Sequence, residues 1–171
     1  MATLGATLGE ALAARLGAHG VDTVFGIPGV HTVGLYRGLA AAGLRHVTPR
    51  HEQGAGFMAD GYARASGRPG VAFVITGPGI ANTLTPMAQA RADSVPMLVV
   101  SGANPAASQG RGLGLLHEMP DQQGTVAGVA WESHRAETAE AAVAAVDAAF
   151  ARFAAGRPGP VHVEVPTDAV G

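Results

Sequence analysis

Two short runs of apolar residues constrain the fold of this sequence more than any other feature. The runs GVAFVIT (70–76) and PMLVVSG (96–102) are rich in β-branched residues and show no polar alternation. Such runs are typical of central strands in a parallel sheet, where helices cover both faces. A glycine loop and a helical pattern separate the two runs, and parallel strands need a crossover of this kind. The sequence therefore predicts an α/β fold.

Helical and strand patterns alternate along the rest of the chain. Thr7 and Glu10 have the spacing of a capping box ahead of a leucine stripe, which predicts a first helix. Further helices are predicted over 32–43, 50–64, 80–93 and 137–155, and further strands over 23–29, 45–49 and 160–166. The glycine-rich stretch 105–124 is predicted as a long loop with at most one short helix, and a strand follows near 126–131 or near 129–135.

The order of these elements predicts an α/β, three-layer α/β/α sandwich with a mainly parallel, roughly six-stranded sheet. The 171 residues are 47% hydrophobic and 14% charged, which fits a single domain over 1–171. A net charge of −2 with scattered basic residues argues against nucleic acid and anionic membranes as partners. Because no apolar segment reaches the roughly 18 residues of a membrane span and no signal peptide is recognisable, we expect a cytoplasmic protein.

A glutamate stands on the apolar side of the helix predicted over 50–64. Glu52 lies one turn ahead of a stripe of predicted core positions, which are Ala55, Met58, Ala59, Tyr62 and Ala63. One interpretation is that a first-turn glutamate complements the helix dipole. The other is that Glu52 is a partly buried carboxylate at the mouth of a ligand crevice, where desolvation could hold its proton for acid chemistry. Its position on the stripe favours the second interpretation.

Loops that follow the strands are the places where ligands bind in such sheets. The segments GIPGVH, PRHEQ and TGPGIANT all follow predicted strands, and TGPGIAN places Asn82 in the first turns of a helix. This segment is one glycine short of the dinucleotide fingerprint, so a Rossmann-like nucleotide-binding module is kept as an alternative. The seven histidines show no metal-ligand spacing, and the chain has no cysteine, so no metal site is predicted.

Five ordered stretches resemble the N-terminal pyrimidine-binding domain of thiamine-diphosphate enzymes, in the branch of acetolactate synthase and the 2-oxo acid decarboxylases. They are VFGIPG, RHEQGAGFMADGYAR, TGPGIANT, PMLVVSG and GRPGPVHVEVPTDAV. The resemblance implies that Glu52 hydrogen-bonds N1′ of the aminopyrimidine, so that the 4′ nitrogen can remove the C2 proton of thiamine diphosphate. It also implies a pyrimidine pocket lined by Pro28, Gly29, Thr76, Pro78 and Asn82.

One loop departs from the pattern of acetolactate synthases. Those enzymes carry Phe-Gln-Glu where this sequence has Leu116, His117 and Glu118. The difference favours a decarboxylase relative, and GVHTVGLYRGL with LHEMPDQ looks most similar to enzymes acting on guanidino-2-oxo acids. His31 and His117 are therefore candidate substrate contacts, against the alternative of histidines without a substrate role. A fragment of an acetolactate synthase large subunit is kept as a second alternative.

The resemblance also implies parts that this sequence does not contain. In the family, Mg²⁺ and the diphosphate are held by a further domain with a Gly-Asp-Gly motif, whereas the Asp60-Gly61 pair here lies inside a predicted helix. We therefore expect a truncated chain or a split subunit that is inactive alone. Its expected partner is the diphosphate-binding domain of another subunit or of the missing C-terminal part, in a homodimer or tetramer. A non-catalytic oligomerisation domain is the remaining alternative.

Overall fold

The computed structural model describes residues 7–170, which form one sheet of six strands. The strands are β1 (Thr23–Gly26), β2 (Arg45–Val47), β3 (Gly70–Val74), β4 (Met97–Ala103), β5 (Glu132–Arg135) and β6 (Pro160–Pro166). They lie in the order β2-β1-β3-β4-β6-β5, and every pairing is parallel. The predicted six-stranded parallel sheet is confirmed.

Helices cover both faces of this sheet. They are α1 (Leu8–Ala18), α2 (Val33–Ala41), α3 (Glu52–Ser66), α4 (Pro78–Asp93), α5 (Gln122–Ala127) and α6 (Ala139–Ala154). One core lies under α1, α2 and α6, and a second core lies under α3, α4 and α5. The three-layer α/β/α sandwich is therefore confirmed, and so is the capping box, because Thr7 and Glu10 exchange hydrogen bonds at the start of α1.

Alternate residues of the central strands divide between the two cores. In β3, Val71 and Phe73 belong to the first core, while Ala72 and Val74 belong to the second. Strand β6 breaks this pattern on the second face: there it places fully buried His162 and Glu164 instead of apolar side chains. The interior of the molecule is thus apolar on one side of β6 and polar on the other.

The predicted core stripe of α3 is wrong at one position. Met58 is 41% exposed, while Gly56 and Asp60 are buried. Helix α4 packs so closely against α3 that a side chain at Gly56 would overlap Pro86, and this contact turns the small residues of α3 inward. Asp60 tolerates burial because Arg64 Nε donates to its carboxylate at 2.7 Å.

The predictions between β4 and β6 need two corrections. The stretch 105–124 contains a turn of 3-10 helix at Ala106–Ser108, and α5 begins inside it at Gln122. A strand near 126–131 is wrong because α5 extends to Ala127, and the alternative near 129–135 overlaps β5. Asp121 determines the start of α5, since its carboxylate accepts a hydrogen bond from Gly124 N.

Candidate functional site

Most predicted site residues lie in the loops after β1, β2 and β3, at the carboxyl edge of the sheet. Glu52 is the first residue of α3, is partly buried, and follows the loop after β2. Its Oε2 accepts a hydrogen bond of 3.1 Å from Asn82 Nδ2 in α4. The structure thus brings together two predicted residues that are 30 positions apart in the sequence.

Two glycines pack against Ile75 close to Glu52. A Cβ atom at Gly29 would lie 2.6 Å from Ile75 Cδ1, and a Cβ atom at Gly79 would overlap the Ile75 side chain and lie 3.7 Å from Glu52 Cγ. Larger residues at these two positions would therefore clash with Ile75, which the glycines allow to approach the backbone closely. Pro28 and Pro78 are exposed in the same two loops. Ile75 is a site residue that the sequence analysis did not identify.

A second residue that the sequence analysis did not identify is Tyr36 in α2. Its hydroxyl donates a 3.0 Å hydrogen bond to the carbonyl of Phe73 in β3. Burial, together with the negative charge of Glu52, raises the pKa of Tyr36 well above its usual value of 10. Tyr36 is therefore a neutral hydrogen-bond donor close to Glu52.

The two candidate substrate histidines face each other. The ring centroids of His31 and His117 are 6.0 Å apart, and within residues 7–170 the buried Nδ1 of each ring has no hydrogen-bond partner. Burial and the neighbouring His117 lower the pKa of His31, and the side chain of Asn104 opposes this effect only in part. His31 is therefore neutral at neutral pH, with a ring nitrogen free to bond a ligand.

Backbone contacts hold this histidine pair in place. His117 has a φ of +58°, a left-handed conformation that histidine tolerates better than most residues. A Cβ atom at Gly77 would overlap the carbonyl of His117, and one at Gly102 would lie 2.7 Å from the carbonyl of His31. The loops carrying both histidines thus rest on glycines at the ends of β3 and β4.

Glu118 orders the loop that carries His117. Its carboxylate accepts hydrogen bonds from the backbone N–H of Leu113 at 3.1 Å and of Leu115 at 3.0 Å. These bonds, that from Leu113 first, lower the pKa of Glu118. Glu118 therefore remains ionised and stabilises an exposed, glycine-rich segment that would otherwise have few internal contacts.

The side chain of Thr76 points into the interior. Its hydroxyl is buried and donates a 2.6 Å hydrogen bond to Gln122 Oε1 at the start of α5. Gln122 in turn donates to Glu164 of β6, which also accepts from Arg135 of β5 at 2.8 Å. The sequence patterns did not predict Gln122, Glu164 or Arg135 as interior polar residues, although the alternation of PVHVEVP contained an indication for Glu164.

His162 continues this polar interior towards β4 and β5. Its Nε2 lies 2.8 Å from Ser101 Oγ and its Nδ1 lies 2.8 Å from Ser133 Oγ. Complete burial, and to a lesser extent the charge of His134, lower the pKa of His162 to about 3. His162 is therefore a neutral structural histidine that connects three strands.

Two further classes of feature are not found in the part of the chain that the structure describes. Among residues 7–170, no three His, Asp or Glu side chains are grouped so that they could hold a metal ion. No helix within the same residues is long and apolar enough to cross a membrane.

Comparison with known families gives one match that covers most of the chain. The family described as "Thiamine pyrophosphate enzyme, N-terminal TPP binding domain" matches residues 6–125. This segment includes the loops after β1, β2 and β3, and with them the Glu52–Asn82 pair. The match supports a thiamine-diphosphate site over the Rossmann-like nucleotide-binding module.

Individual proteins similar to this chain include a probable decarboxylase and several acetolactate synthases. A probable 2-ketoarginine decarboxylase of Pseudomonas aeruginosa is 56% identical over 164 residues, which are 96% of this chain and 29% of that protein. The mitochondrial acetolactate synthase catalytic subunit of Saccharomyces cerevisiae is 38% identical over 170 residues, which are 96% of this chain and 24% of that protein. The chloroplastic acetolactate synthase of Arabidopsis thaliana is 36% identical over 160 residues. The chain thus spans less than a third of the length of these relatives.

Proposed function

The chain belongs to the thiamine pyrophosphate enzymes, as their N-terminal TPP-binding domain, and we propose that it activates the cofactor's aminopyrimidine in an enzyme that decarboxylates a 2-oxo acid. The observation that carries the proposal is the hydrogen bond between Asn82 and Glu52 at the carboxyl edge of the sheet. The neutral amide of Asn82 thus orients the partly buried side chain of Glu52.

The residues around Glu52 fit an aminopyrimidine ring. Gly29 and Gly79 allow Ile75 to pack close to the carboxylate, and Ile75 would offer an aliphatic surface to the face of a flat ring. A ring nitrogen that accepts a proton needs a carboxylic acid partner, and Glu52 is the carboxyl group beside Gly79. Of the remaining predicted contacts, Pro28 and Thr76 lie in the loops after β1 and β3, and Pro78 and Asn82 lie in α4.

In the proposed mechanism, Glu52 holds a proton at N1′ of the aminopyrimidine. Asn82 donates to Glu52 Oε2, so the other carboxyl oxygen is left for the ring. Tyr36, which is partly buried and whose raised pKa keeps it neutral, adds no competing negative charge. The cofactor, when bound, supplies the electron sink for decarboxylation, while these residues orient it and adjust its protonation.

His31 and His117 are the proposed substrate contacts. Each has a buried, unbonded Nδ1 among the described residues, so each can bind a polar group of a ligand. A relative 56% identical to this chain carries the name of a 2-ketoarginine decarboxylase, which supports a 2-oxo acid with a guanidino group as substrate. Histidine at position 117 favours this activity over that of an acetolactate synthase.

The rest of the active site is proposed to come from outside the chain. Residues 1–171 would form one domain, and a diphosphate-binding domain of another subunit or of a C-terminal continuation would hold Mg²⁺ and the diphosphate. We propose that the complete enzyme is a homodimer or tetramer and that it acts in the cytoplasm. The 171-residue chain alone should show weak cofactor binding and no turnover.

The test replaces Glu52 by glutamine in the complete enzyme. Without an acidic proton at N1′, exchange of the C2 proton of bound cofactor should slow by more than about tenfold, since acid–base groups contribute about 10²–10⁴-fold. Exchange is measured by NMR after acid quenching in deuterated buffer. Unchanged exchange would remove Glu52 from the mechanism.

Glu140→Gln is the matched control. Glu140 is the acidic residue in the first turn of α6, so this variant makes the same helix-dipole change on the opposite face of the sheet. It should leave C2 exchange unaltered. Equilibrium titration of the wild-type protein with thiamine diphosphate, NAD and FAD completes the test, because tighter binding of NAD or FAD would contradict the assignment.

A further inference from the structure

Gln122 connects the loop at the start of α4 to two strands of the sheet, β4 and β6. It is the first residue of α5 and only 7% exposed. Its Oε1 accepts two hydrogen bonds from this loop, one of 2.6 Å from the hydroxyl of Thr76 and one of 2.8 Å from Gly77 N. A single amide oxygen thus fixes both residues that lead into α4.

The other end of the amide fixes its orientation. Gln122 Nε2 donates to the carbonyl of Gly102 at 2.9 Å, to Glu164 Oε2 at 2.8 Å and to Ser101 Oγ at 3.2 Å. A flipped amide would face two donors with its NH₂ group and two acceptors with its oxygen. The side chain therefore has one favourable orientation.

Glu164 stabilises this orientation of the Gln122 amide. Its side chain is fully buried in β6, and its two carboxylate oxygens accept from Gln122 Nε2 and Arg135 Nε, each at 2.8 Å. Hydrogen bonds to a buried charge are stronger than those between neutral groups. The amide of Gln122 is thus held by the buried carboxylate of Glu164 in β6, whose other oxygen is paired with the partly exposed Arg135 of β5.

The loop that Gln122 holds contains one glycine, Gly77, with an unusual backbone conformation. Gly77 has a φ of +61° and a ψ of −113°, outside the regions that residues with side chains adopt, and it has no side-chain cap of its own. It begins α4, which carries Asn82, the hydrogen-bond donor to Glu52. The position of Asn82 therefore depends on how the start of α4 is fixed.

We propose that Gln122 is a positioning residue for the aminopyrimidine site: it holds Thr76 and Gly77 so that Asn82 orients Glu52. This inference rests on the proposed function, and it adds a residue from α5, an element outside the three site loops. Gln122 does not touch the proposed ring. It acts through the loop and helix that do.

The first test compares two adjacent glutamines in the full-length protein. Gln122→Leu removes every bond of the amide, whereas Gln123→Leu makes the same change one residue later, where the amide donates only to the carbonyl of Ser133. Both variants lose hydrogen bonds in α5 and should melt at lower temperature. Amide hydrogen exchange at Gly77 should accelerate by at least about tenfold in Gln122→Leu, the effect of roughly one lost hydrogen bond, and should not change in Gln123→Leu.

The functional measurement uses the same pair. In Gln122→Leu, the thiamine diphosphate concentration for half-maximal activity should rise by about tenfold or C2 proton exchange should slow by a similar factor, whereas both values should stay within about twofold in Gln123→Leu. A lower melting temperature with unchanged Gly77 exchange and unchanged cofactor parameters would mean a merely structural role and would overturn the proposal. Equal effects of both variants would also overturn it.

A charge exchange keeps the proposal testable if Gln122→Leu does not fold. Gln122→Glu retains an acceptor for Thr76 and Gly77 but places a second carboxylate beside Glu164, and adding Glu164→Gln removes that repulsion. The double variant should recover part of the cofactor affinity that Gln122→Glu loses. No recovery would count against the positioning role.

Failure of the proposed function would look different. In that case the wild-type protein would not bind thiamine diphosphate at all, while exchange at Gly77 would still report whether Gln122 holds the loop. Protected Gly77 with no cofactor binding would reject the function, and cofactor binding that is insensitive to Gln122 would reject the positioning role alone.

Discussion

At the scale of single residues, the surroundings of a polar group decide what it can do. A first-turn glutamate stabilises a helix through its dipole wherever it stands, and Glu140 on α6 illustrates this ordinary case. Glu52 differs because an amide from another helix bonds its carboxylate and because Gly79, which has no side chain, lies beside it. The two interpretations of Glu52 are therefore compatible, and only the second requires Asn82.

The two tyrosines of the chain give a prediction at the same scale. Tyr36→Phe removes a partly buried donor from the carbonyl of Phe73 and should lower the free energy of unfolding by about 0.5–1.5 kcal/mol. Tyr62→Phe should cost less, because Asp22, the acceptor of Tyr62, is exposed and keeps Arg68 as an ionic partner. Urea unfolding followed by the fluorescence of Trp131, the only tryptophan, measures both. A larger loss in Tyr62→Phe would contradict the importance of burial.

At the scale of elements, the close contact between α3 and α4 determines where Glu52 and Asn82 meet. Both helices begin at the carboxyl edge, and Gly56 of α3 lies directly against Pro86 of α4. The missing side chain at Gly56 lets the two helix starts approach closely enough for the 3.1 Å hydrogen bond. The predicted site therefore depends on a glycine that is not itself in the site.

Two glycines in α3 allow a matched test of this packing. Gly56→Ala places a methyl group onto Pro86 and should destabilise the fold by about 1–3 kcal/mol. Gly61→Ala adds the same methyl group where no atom lies within 4 Å, and should stabilise the helix by about 0.5–1 kcal/mol. Thermal melts of both variants against the parent measure the difference. Equal effects of the two substitutions would show that α4 does not approach α3 this closely.

The elements also show which parts of the fold and site could be predicted. The β-branched runs of β3 and β4 and the capping box at Thr7 were sufficient for the parallel sheet, the layers and the start of α1, because hydrophobic periodicity and capping are local properties. Met58 was wrongly predicted as a core residue, since the packing of α4 on α3 joins residues distant in sequence. A strand near 126–131 was wrong because α5, with six residues, is too short to show a helical period. Glu52 and Asn82 could be predicted from motifs, whereas Gln122 could not, because one polar residue in a presumed loop has no periodicity.

At the scale of the whole molecule, the polar half of the interior distinguishes this domain from an ordinary three-layer sandwich. The buried polar groups of β4, β5, β6 and α5 are bonded to one another: Ser101 and Ser133 to His162, and Glu164 to Gln122. Satisfied networks of this kind favour one arrangement of the elements, since any other leaves charges or donors unpaired. We expect the edge of the sheet at β5 to be rigid for this reason.

The same interior makes stability depend on pH. The pKa of His162 is about 3 in the folded chain, and a histidine in an unfolded chain has a pKa of about 6.5. Above pH 6.5 neither state binds the proton, so stability should not change on this account. Between these two values the unfolded state binds a proton that the folded state excludes, so the free energy of unfolding should fall as pH falls, by up to about 1.4 kcal/mol per pH unit. Buried His31 contributes in the same direction.

Urea titrations at pH 7.5, 6.5, 5.5 and 5.0 measure this slope in a range above that in which carboxylates with lowered pKa, such as Asp93 and Asp147, lose their charge. Because glutamine keeps two hydrogen-bonding atoms between Ser101 and Ser133 but binds no proton, His162→Gln should remove most of the slope between pH 6.5 and 5.0. His51→Gln, which changes an exposed ring, should keep it. A ring titration of His162 by NMR in the wild-type protein provides an independent measurement, and a midpoint above pH 5 would show that its burial does not exclude the proton.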